Sequence, residues 1–141
     1  EFRRVLFRSK TRFGVTEAVA RAAGYTGDMR ELPLSLAKTI YRSQYWDAVC
    51  GDDLPDGVRY YVFDAAAASG VRQSVLWLQR ALGVAADGVL GPVTLAAAHA
   101  ANPDRLKARL LSQRLRFMAG LSNWPSFSRG WSRRVADLLE A

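Results

Sequence analysis

One apolar stripe constrains the fold more than any other feature of the sequence. Between residues 58 and 69, hydrophobic or small side chains recur at i, i+3, i+4, i+7, i+8 and i+11, namely Val58, Tyr61, Val62, Ala65, Ala66 and Ser69. This period places them on one face of an α-helix. A second stripe follows Gly70 and consists of Val71, Val75, Leu78 and Leu82. Because alanines let helices approach closely, the two stripes predict a packed helix pair in the core.

Turn residues fall between the periodic segments of the chain rather than inside them, which predicts a mainly α fold. Further helices are expected to begin near Thr16, Ser35 and Pro92, the second running to about Trp46. A long helix with basic faces is expected around Leu106 to Phe117, ended by Gly120.

The last part of the chain is predicted to bend before its final helix. Trp124-Pro125 is interpreted as a rigid bend, and the helix is expected from about Ser128, with Trp131 in the core. With 141 residues the chain can bury one sizeable core. No apolar run approaches about 18 residues, so no stable membrane insertion is expected.

The charge balance predicts an acidic partner. A net charge of +7 suits either nucleic acid or the anionic surface of a bacterial wall. A single cysteine, Cys50, excludes an internal disulfide, and the single histidine, His99, leaves too few ligands for zinc. The two could be imagined as nucleophile and base of a wall amidase, but each is interpreted as incidental. Neither metal nor cofactor is predicted.

The first nine residues are interpreted as a translated sequencing adapter and not as part of the natural protein. Residues 1–9, EFRRVLFRS, correspond to the translation of a common short-read sequencing adapter. The alternative, a short basic amphipathic segment, lacks both an extended apolar region and a cleavage site. Removing one Glu and three Arg changes the net charge of +7 by two, to +5. The authentic part of the sequence is therefore expected to begin near Lys10, with the true N-terminus missing.

Three segments, in order, carry a family resemblance. The first is T-R-F-G-V-T at residues 11–16, followed by VARAAGYTGDMRELP and the pair Tyr45-Trp46. The second is GDDLP at 51–55, running into VFD and Ser69-Gly70. The third is LQRALGV at 78–84 with DGVLGP at 87–92, ending in Trp124-Pro125 and Gly130-Trp131. Together they resemble the muramidases of glycoside hydrolase family 108 with a C-terminal peptidoglycan-binding region.

The resemblance implies a lysozyme-like helical domain that lacks its N-terminal catalytic helix and most of its small β region. Residues 10–70 would be the partial catalytic region and residues 71–141 a helical peptidoglycan-binding-like region, packed together as one globular unit. The family hydrolyses the β-1,4 bond between N-acetylmuramic acid and N-acetylglucosamine. Its general acid is a glutamate in an E-G-G segment upstream of the T-x-x-G motif, and no such segment stands here. The chain is therefore predicted to be inactive.

The glutamates that the authentic segment does contain are not assigned to catalysis. Glu17, Glu31 and Glu140 are interpreted as solvated or helix-dipole residues. A second departure from the family is Ala68, where the pattern A-V-N-S-G would place an asparagine. If that amide touches substrate, Ala68 weakens binding.

Five residues are candidates for the site. Thr11 is the catalytic candidate, because the resemblance implies a hydroxyl that orients a nucleophilic water; a threonine in a turn or strand can instead bond its own backbone. Tyr45, Trp46 and Trp124 could stack on sugar rings or pack in the core. Asp64, in an apolar helix, is a substrate-binding candidate, although an ion pair with an arginine is the interpretation that its setting favours.

Three functions are compatible with parts of the sequence. A muramidase acting on peptidoglycan glycan strands fits the motifs, and a non-catalytic wall-binding module is the alternative. A helix-turn-helix DNA-binding protein is suggested by VARAAGYT, but residues 27–33 offer no recognition helix, so no nucleic-acid partner is predicted. The protein is expected to be a monomer, made in the bacterial cytoplasm and acting on wall peptidoglycan.

Overall fold

The structure, a computed structural model, describes residues 10–121 and 124–141. The adapter interpretation of residues 1–9 and the side chain of Trp124 lie outside the described part. The chain divides into two compact units, the first ending at Gln44 and the second comprising Tyr45–Ala141. The mainly α prediction is confirmed, since the only strands in the described part form a two-stranded hairpin. No helix in residues 10–121 and 124–141 has the length and hydropathy to cross a bilayer.

The first unit opens with a β-hairpin that the helix-based analysis did not predict. Strand β1 (Thr11–Arg12) pairs antiparallel with β2 (Val15–Thr16). Phe13 and Gly14 join the strands with φ values of 53° and 77°. Two successive positive φ values give a turn whose twist matches that of the strands, and glycine at the second position adopts it without strain.

Helices complete the first unit. Helix α1 (Glu17–Ala22) is capped by Thr16, whose hydroxyl accepts a hydrogen bond from the Val19 amide at 3.3 Å. A 3₁₀ turn (Met29–Glu31) and α2 (Leu34–Tyr41) follow. The core of this unit consists of the buried residues Val15, Ala20, Met29, Leu32, Ala37 and Ile40.

The predicted second helix differs from the structure at its start and agrees with it in reaching Trp46. It begins at Leu34 rather than after a Ser35 cap, because Pro33, with φ −66° and ψ 141°, already has the extended geometry of a cap residue. The α-helix ends at Tyr41 and continues as a π-helical turn (Arg42–Trp46).

The second unit is built from five helices in its described part. They are α3 (Arg59–Ser69), α4 (Val71–Leu82), α5 (Pro92–Ala100), α6 (Pro103–Ala119) and α7 (Trp124–Glu140). The two apolar stripes form α3 and α4 as predicted. Buried Ala65 and Ala66 lie on α3, and the Ser74 hydroxyl of α4 donates to the Val62 carbonyl at 2.7 Å. This bond ties the two helices together inside the core.

The predicted bend at Trp124-Pro125 is wrong. Both residues belong to α7, which begins at Trp124 and not near Ser128. Proline is tolerated there because the amides of a first helical turn have no intrahelical acceptor, so the missing N–H costs nothing. At its other end, α7 is held by the buried Tyr61 hydroxyl, which donates to the Leu138 carbonyl at 2.9 Å.

Candidate functional site

A cleft of about 520 Å³ opens within the second unit, between the end of α3 and the facing parts of α6 and α7. Its lining residues are Asp64, Ala67, Ala68, Ser69, Arg114, Phe117, Met118, Leu121, Trp131 and Arg134. Two residues singled out from the sequence, Asp64 and Ala68, thus lie in the same cleft. Aromatic and aliphatic side chains beside a few charged groups are typical of a small-molecule site.

A charged cluster forms one part of the cleft wall. Asp64 is 6% exposed, and one of its carboxylate oxygens accepts a hydrogen bond from Arg114 Nη1 at 2.5 Å. The other oxygen pairs with Arg134, whose side chain is 48% exposed. The ion pair that the sequence favoured for Asp64 is therefore present. With one carboxylate and two guanidinium groups, the cluster has a net charge of +1.

Arg114 is the buried cation of this cluster, and the desolvation of its guanidinium group is unfavourable for folding. Only 4% of the residue is exposed, and desolvation lowers the pKa of its guanidinium from the ordinary value. Its Nε is buried without a hydrogen-bond partner among the described residues. The Asp64 carboxylate is thus the counter-ion of the buried Arg114 guanidinium group.

The prediction that Trp131 is buried in the core is wrong. The side chain is half-buried and lines the cleft, whereas Val135 and Leu138 of the same helix are buried. Trp131 lies one turn before Val135, at the point where the core gives way to the cleft. Helical spacing identifies the shared face but not where along it the core ends.

The aromatic pair Tyr45-Trp46 lies in the second unit, and Trp46 is held by three neighbours. Its indole meets Phe63 edge-on, with ring centroids 5.5 Å apart, and its Nε1 donates to Asp52 at 3.0 Å. Gly51 lies directly beneath the ring, so that a Cβ there would overlap the indole. Both aromatic residues are half-buried, and Tyr45 packs against the core. Stacking of either ring on a sugar stays a prediction.

Thr11 lies on β1 in the first unit. It is exposed and pairs with Thr16 on the neighbouring strand. Its water-orienting role stays a prediction, as does a sugar-binding role for Asp64. The structure does not describe the side chain of Trp124.

Cys50 and His99 are not arranged as a nucleophile and its base. Burial, and secondly the negative charge of Asp53, raise the pKa of the Cys50 thiol. A thiol with a raised pKa stays protonated and is a poor nucleophile. His99 instead places Nε2 2.7 Å from the Asp53 carbonyl oxygen.

A polar cluster around Gln79 was missed by the sequence analysis. Gln79 lies on α4 and is 1% exposed. Its Nε2 lies 2.8 Å from Asp87 Oδ1, 2.9 Å from the Val89 carbonyl and 3.2 Å from the Thr94 hydroxyl. Its Oε1 accepts a hydrogen bond from the Gly88 amide at 2.9 Å. One side-chain amide therefore fixes the loop between α4 and α5.

Comparisons with known proteins place this geometry in a family. Residues 9–70 match the family described as Glycosyl hydrolase 108. Residues 73–136 match the one described as Predicted Peptidoglycan domain. The structure of Brucella abortus SagA is similar at 37% sequence identity and a TM-score of 0.83, covering 91% of this chain and 76% of that one. The chain belongs to the glycosyl hydrolase 108 family. No curated protein matches it.

Membership confirms the family predicted from the three motifs, and the two matches support a peptidoglycan-related function. They do not test the predicted arrangement of residues 10–70 and 71–141 as one globular unit, which stays a prediction. In this glycosyl hydrolase 108 chain the Gln79 cluster falls inside the peptidoglycan-domain match. The L-Q-R and D-G-V parts of the sequence motif thus have a structural role, since they hold a turn.

Asp87 should make this turn sensitive to acid. Its pKa is lowered mainly by the Val89 amide, 2.9 Å away, and then by Gln79. A lowered folded-state pKa stabilises the fold above the unfolded value of about 4, and this stabilisation is lost as pH falls through the folded-state pKa. Asp87→Asn should therefore lower the urea midpoint at neutral pH but change it little well below pH 4. Equal losses at both pH values would show that the charge plays no part.

Proposed function

We propose that this chain comes from an N-acetylmuramidase that hydrolyses the β-1,4 bond between N-acetylmuramic acid and N-acetylglucosamine in peptidoglycan. Family membership is the observation that supports this most directly, because the matched family is one of glycosyl hydrolases and its partner match is a peptidoglycan domain. Hydrolysis of this kind needs a protonated carboxylic acid at the leaving oxygen. In the proposal that acid is a glutamate encoded upstream of Lys10.

The surroundings of the available glutamates support an upstream acid. A catalytic acid has its pKa raised by an apolar pocket. Glu17 is instead paired with Arg21 at 3.1 Å, with 41% of its side chain exposed. Glu31 and Glu140 are both exposed. The exposure of all three to solvent does not match the enclosed setting that a general acid needs.

The remaining residues receive roles in binding. The cleft beside Asp64 would hold part of the glycan, with Trp131 offering a ring face to a sugar. Both carboxylate oxygens of Asp64 are engaged by arginines, so Asp64 would act chiefly by positioning Arg134 at the cleft mouth. In the first unit, the exposed Thr11 would orient a nucleophilic water. In the second unit, Tyr45 and Trp46 would offer further aromatic surface to sugars.

The test compares the 141-residue chain with the same chain extended by its natural upstream reading frame. Release of reducing ends from purified peptidoglycan should be absent for the first and present for the second. Changing the upstream glutamate to glutamine should abolish it again, since an amide cannot donate the proton. Clearing of purified walls by the 141-residue chain alone would overturn the proposed location of the acid.

Ala68 offers a test of the cleft itself. It is exposed on α3 and lines the cleft where the family pattern places asparagine. Ala68→Asn should tighten binding of soluble glycan fragments about two- to tenfold, the effect of one added hydrogen bond. Ala96→Asn is the matched control, being an exposed helical alanine outside this cleft. Equal affinities for the two variants would show that position 68 does not touch substrate.

A non-catalytic peptidoglycan-binding module is the second candidate, favoured by the match over residues 73–136. It predicts sedimentation of the chain with insoluble peptidoglycan but no reducing ends even from the extended protein. In either case we propose synthesis in the bacterial cytoplasm and action on the wall.

A further inference from the structure

A second concave surface, separate from the cleft, runs along α6 in the same unit. Two adjoining pockets of about 340 and 500 Å³ share Ala81, Leu82 and Arg109 in their walls. We call them together the arginine groove, because their walls contain Arg80, Arg105, Arg109 and Arg116. No aspartate or glutamate lines either pocket. The groove is thus concave and of one sign of charge, which focuses the field on an anionic ligand.

Only one of these four arginines has a contact with an evident structural role in the described part of the chain. Arg109 donates to the Ala81 carbonyl at 3.2 Å and so satisfies the end of α4. Arg80, Arg105 and Arg116 are exposed, and within the described part of the chain no carboxylate lies within ion-pair distance of them. Three guanidinium groups without a carboxylate partner among the described residues therefore line one groove. A ligand with acidic groups would supply such partners.

The spacing of the arginines sets the length of such a ligand. Arg105, Arg109 and Arg116 stand at i, i+4 and i+11 on α6, which places them along one side of the helix. From the first to the last is about 16 Å at about 1.5 Å per residue. An extended peptide of five residues spans about 16 Å at about 3.3 Å per residue. The groove therefore matches a segment of about five residues of an acidic peptide.

Between the arginines the walls are partly apolar. They include Ala97, Ala100 and Ala101 beside Leu82 and Leu106. Guanidinium groups bind carboxylates in a bidentate manner, which adds directionality to the charge attraction. The stem peptides of peptidoglycan are short, rich in alanine and carry free carboxylates.

We propose that the arginine groove binds the stem peptides of peptidoglycan through their carboxylates. This inference rests on the proposed function, since it assumes that peptidoglycan is the partner. It assigns the glycan and the peptide to different surfaces of the second unit, the cleft and the groove. Substrates without stem peptides should then bind through the cleft alone.

The experiment is sedimentation of the 141-residue chain with insoluble peptidoglycan, either intact or freed of stem peptides by an amidase. Arg105→Gln/Arg116→Gln is the groove variant; both side chains are exposed, so the fold should persist, as circular dichroism can verify. Arg129→Gln/Arg133→Gln is the control, losing the same charge from exposed positions of α7 that line neither pocket. The groove variant should bind intact peptidoglycan about tenfold more weakly, while the control stays within about twofold.

Several outcomes would overturn the inference. Equal weakening of both variants would indicate diffuse charge attraction rather than a groove. Equal weakening of the groove variant on stem-free glycan would indicate that the groove binds sugar. Displacement of the bound chain by a short DNA oligonucleotide, but not by a soluble acidic pentapeptide, would indicate a general polyanion site. If the unchanged chain fails to sediment, peptidoglycan binding by this chain is contradicted and the inference fails with it, whereas normal sedimentation of the groove variant contradicts the inference alone and leaves the proposed function standing.

Discussion

Asp64→Ala is expected to lower the free energy of unfolding by about 3–5 kcal/mol, because it leaves a buried charge without its partner. Arg114 is only 4% exposed, and burial already lowers its pKa. Arg134, at 48% exposure, can turn toward solvent and should contribute little to the loss. Urea unfolding followed by circular dichroism measures the change.

An exposed ion pair of the same unit supplies the control. Asp56 pairs with Arg59 at 2.7 Å, but 94% of the Asp56 side chain is exposed. Asp56→Ala should therefore cost less than about 1 kcal/mol. The double variant Asp64→Leu/Arg114→Met should recover much of the loss, since it removes the buried charge together with its partner. If Asp64→Ala behaves like Asp56→Ala, the buried pair does not support the fold.

The setting of Asp64 was predictable, but its partners were not. A carboxylate within an apolar helical stripe must be paired, so the sequence alone favours an arginine beside it. The two arginines lie 50 and 70 residues further along the chain, and only the packing of α6 and α7 brings them near. Local sequence patterns do not show which of the arginines on distant helices will pack beside Asp64.

Some predictions were wrong because the same local sequence pattern is compatible with two different structures. Pro125 ends a helix when it lies in the interior but suits a first turn, and the sequence of Trp124-Pro125 does not distinguish these cases. Likewise the spacing of Trp131 relative to Val135 predicts one shared face, and the structure shows a cleft at one end of it. The hairpin was missed because each strand has two residues, too few for an alternating pattern.

The buried position of Gln79 follows from the sequence. It follows Val75 by four residues and so falls on the apolar face of α4, where a polar side chain must find partners. The adjacent Asp87-Gly88 turn was the nearest source of them. Gln79 lies within the third family motif, yet the residue is 1% exposed and its amide is unable to reach a wall polymer. In this part of the peptidoglycan-domain match, a sequence motif reflects folding, and the exposed arginines nearby are better placed for binding.

Gln79→Leu should therefore destabilise the chain by about 2–4 kcal/mol, since it retains the volume but leaves several buried polar groups without partners. The Gly88 amide and the Thr94 hydroxyl, itself 4% exposed, both lose their bonds to Gln79. Gln113→Leu is the matched control, because Gln113 is half-buried and makes one bond, to the Trp77 carbonyl at 3.1 Å. It should cost about 0.5–1.5 kcal/mol. Hydrogen exchange adds a local readout: protection of the Gly88 amide should fall in Gln79→Leu and persist in Gln113→Leu. If the Gly88 amide stays protected in Gln79→Leu, the turn is stable without Gln79. The side-chain amide of Gln79 would then not be what orders the loop between α4 and α5.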